Sequence, residues 1–312
     1  MNSAVEISIL VVSYNTRDMT LECLRSVVAE TSVPYELIVV DNQSSDGSAE
    51  AIAAEFPDIV LIRAEENYGF AKGNNVAADQ ARGRYLLLLN PDTVVLDRAI
   101  DRLLDYAGRV PDARIWGGRT LYGDGSLNPG SCWRRLNLWN IFCRTSGLTG
   151  IFPRSPVFNS EAYGGWDRGT ERQVDIVCGC FLLIQREDWQ ALGGFDLRFF
   201  MYGEEADLCL RAIHQLAAAP QVTPDATIVH YGGASEKVRS DKMVRLLSAK
   251  SELIKRHIPW PAQPLARGLF RYWPYTRKLA TGLRAASSDS ADVWREIWNR
   301  RSEWQNGYSD RS

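Results

Sequence analysis

Apolar and polar positions fall in short alternating blocks along the first two thirds of this chain. The run at 6–13 (EISILVVS) reads as a buried strand and stops at Tyr14-Asn15-Thr16, after which apolar spacing predicts a helix over 18–30. A second strand at 35–40 ends at Asp41-Asn42. Ser44-Ser45-Asp46-Gly47-Ser48 then supplies turn and cap chemistry for a helix near 48–55, with Asp46 as the expected cap. A third strand at 59–63 leads into Asn67-Tyr68-Gly69-Phe70 and a helix over 71–81. The fourth, at 85–89, ends abruptly in Asn90-Pro91-Asp92. Strands alternating with helices of about ten residues predict βαβ units and a doubly wound, mostly parallel sheet with helices on both faces.

A helix near 97–108 and a strand near 113–117 continue the pattern, and residues 119–172 break it. That stretch is rich in Gly, Trp, Arg and Pro with little periodicity, which predicts a long, partly ordered excursion of the kind that often covers a site. Strand character returns over 174–185, followed by a short helix at 186–192, a Gly193-Gly194-Phe195-Asp196 turn and a helix opening at Glu204. A late strand at 226–230 ends in His230-Tyr231-Gly232-Gly233. Beyond it, 238–257 reads as an amphipathic helix and 262–312 as helical patches carrying Trp, Arg and Lys. There is no internal repeat.

Four strands therefore end in polar groups: Tyr14 and Asn15 beside Ser13, Asp41, the 67–70 loop, and Asn90 with Asp92. In a parallel sheet these ends lie side by side and converge on one crevice. Asp41 suits a hydrogen bond to a base or ribose, or a cap on its own turn. An Asp presented at the sheet's carboxyl edge beside an amide suits a divalent cation bridging phosphate oxygens, or simply a Pro-Asp turn.

Composition is that of a globular protein, at 45% hydrophobic and 24% charged, which excludes a mainly disordered chain. No apolar run approaches the ~18 residues of a membrane span, and the opening MNSAVEIS lacks a basic leader, so neither a signal peptide nor a spanning segment is expected. The six cysteines include no C-x-x-C pair, which predicts free, mostly buried thiols in a reducing, cytoplasmic setting and argues against zinc. The net charge of −2 conceals an asymmetry: residues 1–236 carry −11 and residues 237–312 carry +9. A basic tail on an acidic body points to an anionic surface rather than to nucleic acid.

Two further clusters carry candidate chemistry. Glu204, Glu205 and Asp207 occupy the first turn of a helix, where the macrodipole favours negative charge. The preceding glycine and aromatic-rich loop suit an acid held beside a partly dry cleft and tuned as a general base. His230, at a strand end beside two glycines, suits a ligand to Mn²⁺ or a donor to phosphate, or a satisfied histidine at a turn.

Together, Val11-Val12-Ser13-Tyr14-Asn15, Val39-Val40-Asp41-Asn42-Gln43-Ser44-Ser45-Asp46-Gly47, Asn67-Tyr68-Gly69-Phe70-Ala71-Lys72-Gly73-Asn74-Asn75 and Leu88-Leu89-Asn90-Pro91-Asp92 resemble family 2 glycosyltransferases of the GT-A fold. Gly203-Glu204-Glu205-Ala206-Asp207-Leu208 and His230-Tyr231-Gly232-Gly233-Ala234-Ser235 are similar to the family's acceptor-side motifs. The resemblance spans about residues 6–235 and is nearest the bacterial rhamnosyltransferase-like branch. It implies an inverting, metal-dependent transfer from a nucleotide-diphosphate sugar, dTDP-rhamnose favoured, to a hydroxyl of a glycan or lipid-linked acceptor in cell-surface polysaccharide assembly.

The resemblance also implies roles. Ser13, Tyr14, Asn15, Asp41, Asn67, Gly69, Phe70, Lys72, Asn75, Asn90 and Asp92 would hold the donor. Asp92 and His230 would hold Mg²⁺ or Mn²⁺. Asn90 stands where the family's D-x-D motif begins with an acid, a departure that lowers the expected metal affinity. Glu205 stands where the family's Asp base would be, one methylene longer, with Glu204 as the fallback. The implied domains are 1–236, divided into a nucleotide-sugar half (1–118) and an acceptor half (119–236), and a helical basic extension at 237–312.

Competing readings remain. A sugar-nucleotidyltransferase would want a Gly-rich, basic phosphate loop after the first strand, where this chain has Ser-Tyr-Asn-Thr-Arg-Asp. A non-catalytic nucleotide-sugar-binding or scaffold protein of the same fold predicts donor binding without turnover. Leu269 and the tail aromatics (Phe270, Tyr272, Trp273, Tyr275, Trp294, Trp298, Trp304) fit peripheral contact with the inner membrane surface. They fit equally a helical hairpin packed on the catalytic domain or on a second subunit of a homodimer.

Overall fold

The computed structural model describes residues 5–232, 239–283 and 288–308. The apolar blocks form the βαβ series β1 (Ile7–Ser13), α1 (Arg17–Glu30), β2 (Tyr35–Asp41), α2 (Ser48–Glu55), β3 (Val60–Arg63), α3 (Gly69–Asp79) and β4 (Tyr85–Leu89). After them come β5 (Thr93–Val95), α4 (Ala99–Arg109), β6 (Ile115–Leu121), β7 (Leu127–Asn128), β8 (Cys132–Trp133), α5 (Leu138–Ser146) and α6 (Leu148–Ile151). The chain continues through β9 (Arg172–Gln173), β10 (Ile176–Val177), β11 (Phe181–Gln185), α7 (Arg186–Leu192), α8 (Glu204–Leu216) and β12 (Gln221–His230). It closes with α9 (Arg239–His257), α10 (Gln263–Leu283), α11 (Ser288–Asn299) and α12 (Arg301–Trp304).

Contacts divide the chain into two compact units. The first combines Met1–Trp133, Asp167–Phe200 and Glu204–Ser235; the second combines Arg134–Trp166, Met201–Gly203 and Glu236–Ser312. The division differs from a single cut after 236, because 134–166 joins the helical tail. The expected boundary itself lies outside the described residues.

The first unit is built on a sheet of order β3-β2-β1-β4-β11-β6-β12-β5. Strands β3, β2, β1 and β4 are parallel. The doubly wound pattern ends there: β11 runs antiparallel to both β4 and β6, while β12 is parallel to β6 and antiparallel to β5. Ile7, Ile9, Leu10 and Val11 in β1 and Leu86, Leu87 and Leu88 in β4 are fully buried. Such burial stabilises by roughly 1.5–3 kcal/mol per side chain. The chain winds outward through β2 and β3, then returns to the other side of β1 as β4. The strand order thus reverses between β1 and β4, where α/β sheets place their ligands.

Two expectations need correcting. The single strand expected over 174–185 is two strands, broken at Cys178-Gly179-Cys180. The excursion expected over 119–172 is largely structured: β6 runs on to Leu121, β7 and β8 follow, and α5 begins at a reciprocal cap between Asn137 and Asn140.

The second unit is helical. Ile141 of α5, Leu247 and Ile254 of α9, Phe270 and Trp273 of α10, Ile297 of α11 and Trp304 of α12 form one buried cluster, with Leu269, Trp294 and Trp298 packed against it. Most of the tail aromatics are therefore core residues of this unit, whereas Tyr272 is exposed. Glu161 is buried between Arg144, at 2.6 Å, and Lys250. Both cations hold its carboxyl down at about 2, against burial, the largest influence, which acts to raise it.

Candidate active site

The β1/β4 reversal brings several of the expected residues to one sheet edge. Ser13 and Asp41 are neighbours in register across β1 and β2. Ser13 is fully buried and shares its hydroxyl with Thr20 at 2.8 Å and Thr16 at 3.3 Å, so it shapes the turn from within. Asn15 adopts a left-handed backbone (φ 52°) and its Oδ1 accepts from the Ser45 amide at 2.8 Å. Asp41 accepts from the Ser44 amide at 3.2 Å through Oδ2. Its Oδ1 is buried and has no hydrogen-bond partner among the described residues, leaving one acceptor open at the strand end. The cap position of α2 is Gly47 rather than the expected Asp46, which instead accepts from the amides of Ser48 and Arg17 one residue earlier in the turn.

Asn42, which the sequence reading passed over, ties this edge to the 67–70 loop. Its Nδ2 donates to Asn67 Oδ1 at 3.0 Å and to the Gly69 carbonyl at 3.2 Å, and its Oδ1 accepts from the Tyr68 amide at 2.8 Å. Gly69 has φ 71°, and a Cβ there would lie 2.5 Å from the Phe200 carbonyl oxygen. The loop is thus pressed onto Phe200, with the Phe70 amide donating to that same oxygen at 2.9 Å. Two expected donor contacts are engaged elsewhere. Lys72 pairs with Glu66 at 2.8 Å and lies over the Tyr68 ring. Asn75 uses both ends of its amide on the Phe195 backbone, at 2.9 Å each. Tyr14 is exposed at the edge.

Asp92 is held by the pairing of β5 with β12, which sets Thr93 opposite His230. His230 Nε2 lies 3.3 Å from Asp92 Oδ1, and the Gly232 amide donates to Oδ2 at 3.1 Å. Burial, the largest influence, acts to raise the Asp92 pKa, but the hydrogen bond and charge of His230 and the backbone donors outweigh it, so the carboxyl titrates below its usual range. Asn90 Nδ2 is 3.4 Å from His230 Nε2, while its Oδ1 is buried without a partner among the described residues. The segment Gly233-Ala234-Ser235 lies outside the described residues.

A carboxylate oxygen, an open amide oxygen and an imidazole nitrogen are a donor set that fits Mg²⁺ or Mn²⁺ bound partly by protein and partly by substrate phosphate. Among the described residues no group of three or more His, Cys, Asp or Glu forms a complete metal cage.

The three acids of α8 separate by environment. Asp207 is buried and paired with Arg211 at 2.7 Å, and Arg211 in turn donates to the carbonyls of Leu192 and Gly194. Glu204 is buried at 3% exposure, whereas Glu205 is half-buried. A Cβ on Gly179 would lie 3.6 Å from Glu205 Cβ and 3.2 Å from the Phe70 ring, so Glu205 stands beside the Cys178–Cys180 break and the 67–70 loop. The Cys180 carbonyl accepts from the Asn90 amide at 3.1 Å, so the same loop also meets the end of β4 that leads to Asp92.

Arg119 also went unnoticed in the sequence. It follows Gly117, whose absent Cβ would meet Val177 of β10, on the same face of β6. Its Nε is buried and has no hydrogen-bond partner, and no ion pair forms with it among the described residues.

Asp41 ends β2 with one open acceptor oxygen, Asp92 follows β4 with its carboxyl held below the usual range, and the half-buried Glu205 stands beside the Cys178–Cys180 loop. Comparison with known proteins identifies the family. The family model "Glycosyl transferase family 2" matches residues 8–165. N-acetylglucosaminyl-diphospho-decaprenol L-rhamnosyltransferase of Mycobacterium tuberculosis is 27% identical over 273 residues, covering 82% of this chain and 87% of that protein. Rhamnosyltransferase WbbL of Escherichia coli is 28% identical over 217 residues, covering 65% and 75%. Among solved structures, mannosyltransferase PcManGT from Pyrobaculum calidifontis, in complex with GDP-Man and Mn²⁺, shares the fold at TM-score 0.56 and 18% identity, covering 97% of this chain and 85% of that one. The chain belongs to glycosyl transferase family 2, with a GT-A fold and a rhamnosyltransferase-like sequence.

Proposed function

We propose that this glycosyltransferase moves a sugar from a nucleotide-diphosphate donor, dTDP-rhamnose favoured, to a hydroxyl of a lipid-linked glycan, with inversion and with a divalent metal, at the cytoplasmic face of a membrane. The observation that carries this reading is the ionised Asp92, fixed at the strand-order reversal by His230 and Gly232. The rhamnosyltransferase names of two relatives support the choice of donor and, in one of them, the lipid-linked acceptor.

Asp41 Oδ1 accepts a hydrogen bond from the nucleoside, and the Asn42-braced loop at 67–70 closes around it. Asp92, Asn90 and His230 would hold the metal. When bound, the metal neutralises charge developing on the departing diphosphate. Glu205 takes the proton from the acceptor hydroxyl as its oxygen forms a bond to the anomeric carbon. The bond from that carbon to the diphosphate breaks on the opposite face, so configuration inverts in one displacement without a covalent intermediate.

The test needs no acceptor. Nucleotide sugars are screened with and without Mg²⁺ or Mn²⁺ for thermal stabilisation, since a ligand that binds the native state raises its melting temperature by mass action. Stabilisation by one donor that needs metal and disappears in Asp92→Ala supports the reading. Donor binding without hydrolysis or transfer to any acceptor favours a non-catalytic sugar-nucleotide-binding protein. No stabilisation by any nucleotide sinks the proposal.

A further inference from the structure

The second unit presents an apolar surface that its own core does not use. Trp139, Phe142, Ile151, Phe152 and Val157, all within the α5–α6 hairpin and the loop after it, are 42–67% exposed. They form one patch rather than scattered residues. The Trp139 ring lies 5.9 Å from Phe142 and 6.2 Å from Phe158, and Phe158 lies 5.1 Å from Phe152. Trp139 Nε1 donates to the Val157 carbonyl at 2.9 Å, which fixes the indole across the hairpin. Apolar patches of this kind on a soluble unit mark an interaction surface.

The charge around the patch names the partner. Residues 134–160 contain four arginines, no lysine and no carboxylate. Helix α10 packs on α5, with the Thr145 hydroxyl donating to the Leu269 carbonyl at 2.9 Å and the Thr276 hydroxyl to the Thr145 carbonyl at 3.0 Å. Gln263–Leu283 adds three arginines and one lysine, again without a carboxylate. Arg144 pairs with the buried Glu161. Arg135, Arg154 and Arg271 are exposed.

Amphipathic rings flanked by cations, on a helical hairpin too short to span, match the interface of an anionic bilayer. A second copy of the chain using the same patch would set arginine against arginine without a counter-charge, which opposes a symmetric dimer here. No described helix is long and apolar enough to cross a membrane.

We propose that the α5–α6 hairpin, flanked by α10, docks on the surface of an anionic lipid bilayer, with Trp139, Ile151 and Phe152 entering the headgroup–acyl boundary. Its meaning for catalysis rests on the lipid-linked acceptor proposed above. The docking itself does not.

The test uses the full chain, without donor or acceptor, and vesicles of phosphatidylcholine with or without one quarter phosphatidylglycerol. The wild type is expected to sediment with the anionic vesicles, weakly with the neutral ones, and less as salt rises. Ile151→Ser with Phe152→Ser should weaken binding at least tenfold. Arg154→Glu, which leaves the apolar patch intact, should weaken it about fivefold or more, since each cation near such a surface contributes about that factor. Vesicles with brominated acyl chains should quench tryptophan emission less in Trp139→Phe than in the wild type. Three results overturn the proposal: no binding to anionic vesicles, wild-type binding by both the apolar and the charge variants, or a wild-type dimer that the apolar variant converts to monomer. Nucleotide-induced stabilisation, measured without vesicles, reports on the transferase reading separately, so one can fail while the other stands.

Discussion

Arg211 donates from Nε to Asp207 Oδ2 at 2.7 Å, and the same guanidinium holds the carbonyls of Leu192 and Gly194. One acid of the α8 first turn is thereby committed to pinning the helix on the Gly193–Gly194 turn. With Glu204 buried, Glu205 is the half-buried acid of this turn and the proposed base. Glu205→Gln should lower kcat by about 10²–10⁴-fold, the usual contribution of a general base, while nucleotide-sugar binding stays within a factor of two. Asp207→Asn should instead lose about 3 kcal/mol of stability, because Arg211 keeps a buried charge without its partner. Its residual activity should follow the folded fraction. Steady-state kinetics beside a urea titration of both variants separates the two roles. Wild-type kcat in Glu205→Gln would move the base to Glu204.

Asn42 is the brace of the nucleotide edge. Asn42→Ala removes three hydrogen bonds at 2.8–3.2 Å and leaves the Tyr68 amide without its acceptor. The expected result is a KM for the nucleotide sugar raised about tenfold, a melting temperature lowered by a few degrees, and faster hydrogen exchange at residues 67–70. Asn42→Asp keeps the acceptor for Tyr68 but cannot donate to Gly69, so it should fall between. Equal KM in all three proteins would mean the loop plays no part in donor binding.

Legibility followed the strength of the local signal. The Tyr85–Leu89 strand, the Arg186–Leu192 helix and the helix start at Glu204 were readable because apolar runs, capping acids and glycines all agree there. The excursion at 119–172 was not, since its strands β7 and β8 are two residues long and α5 is capped by an Asn–Asn pair rather than a Ser–Glu box. At the site, residue type was legible and partner choice was not. Lys72 is implied by the resemblance as a donor contact, yet Glu66, six residues earlier in the chain, pairs with it. Asn42 is given no role by the sequence, because nothing local shows that the 67–70 loop folds back onto it. The tail tryptophans fit a membrane belt and a helical core equally in sequence, and only packing against Ile141 and Leu247 separates the two.

Arg119 carries a buried Nε without a hydrogen-bond partner among the described residues, on the β6 face whose Gly117 packs against Val177 of β10. A buried guanidinium nitrogen with an open donor gains a counter-charge when a phosphorylated substrate docks against it. Arg119→Ala should weaken binding of one phosphorylated substrate by about 10–100-fold, and Arg119→Lys should recover only part, since a point charge replaces a fork. Isothermal titration with the nucleotide sugar, and KM for the acceptor, identify which substrate is affected. If neither changes while the melting temperature drops, Arg119 is a packing residue.

The Glu161 carboxyl gives the helical unit its own pH dependence. Its pKa is about 2 in the folded chain against an ordinary 4.5, because Lys250 and Arg144 together outweigh burial. Between those values the native state binds fewer protons than the unfolded chain, so stability is fully present above about pH 5 and is lost as pH falls toward 2. The difference amounts to about 3 kcal/mol at full loss. A series of urea titrations from pH 6 to pH 3 should show the transition of the helical unit moving steadily to lower urea. Glu161→Gln should start lower at pH 6, because two half-buried cations lose their counter-ion, and should then vary much less with pH. The same slope in both proteins would show that other carboxylates govern the acid limb.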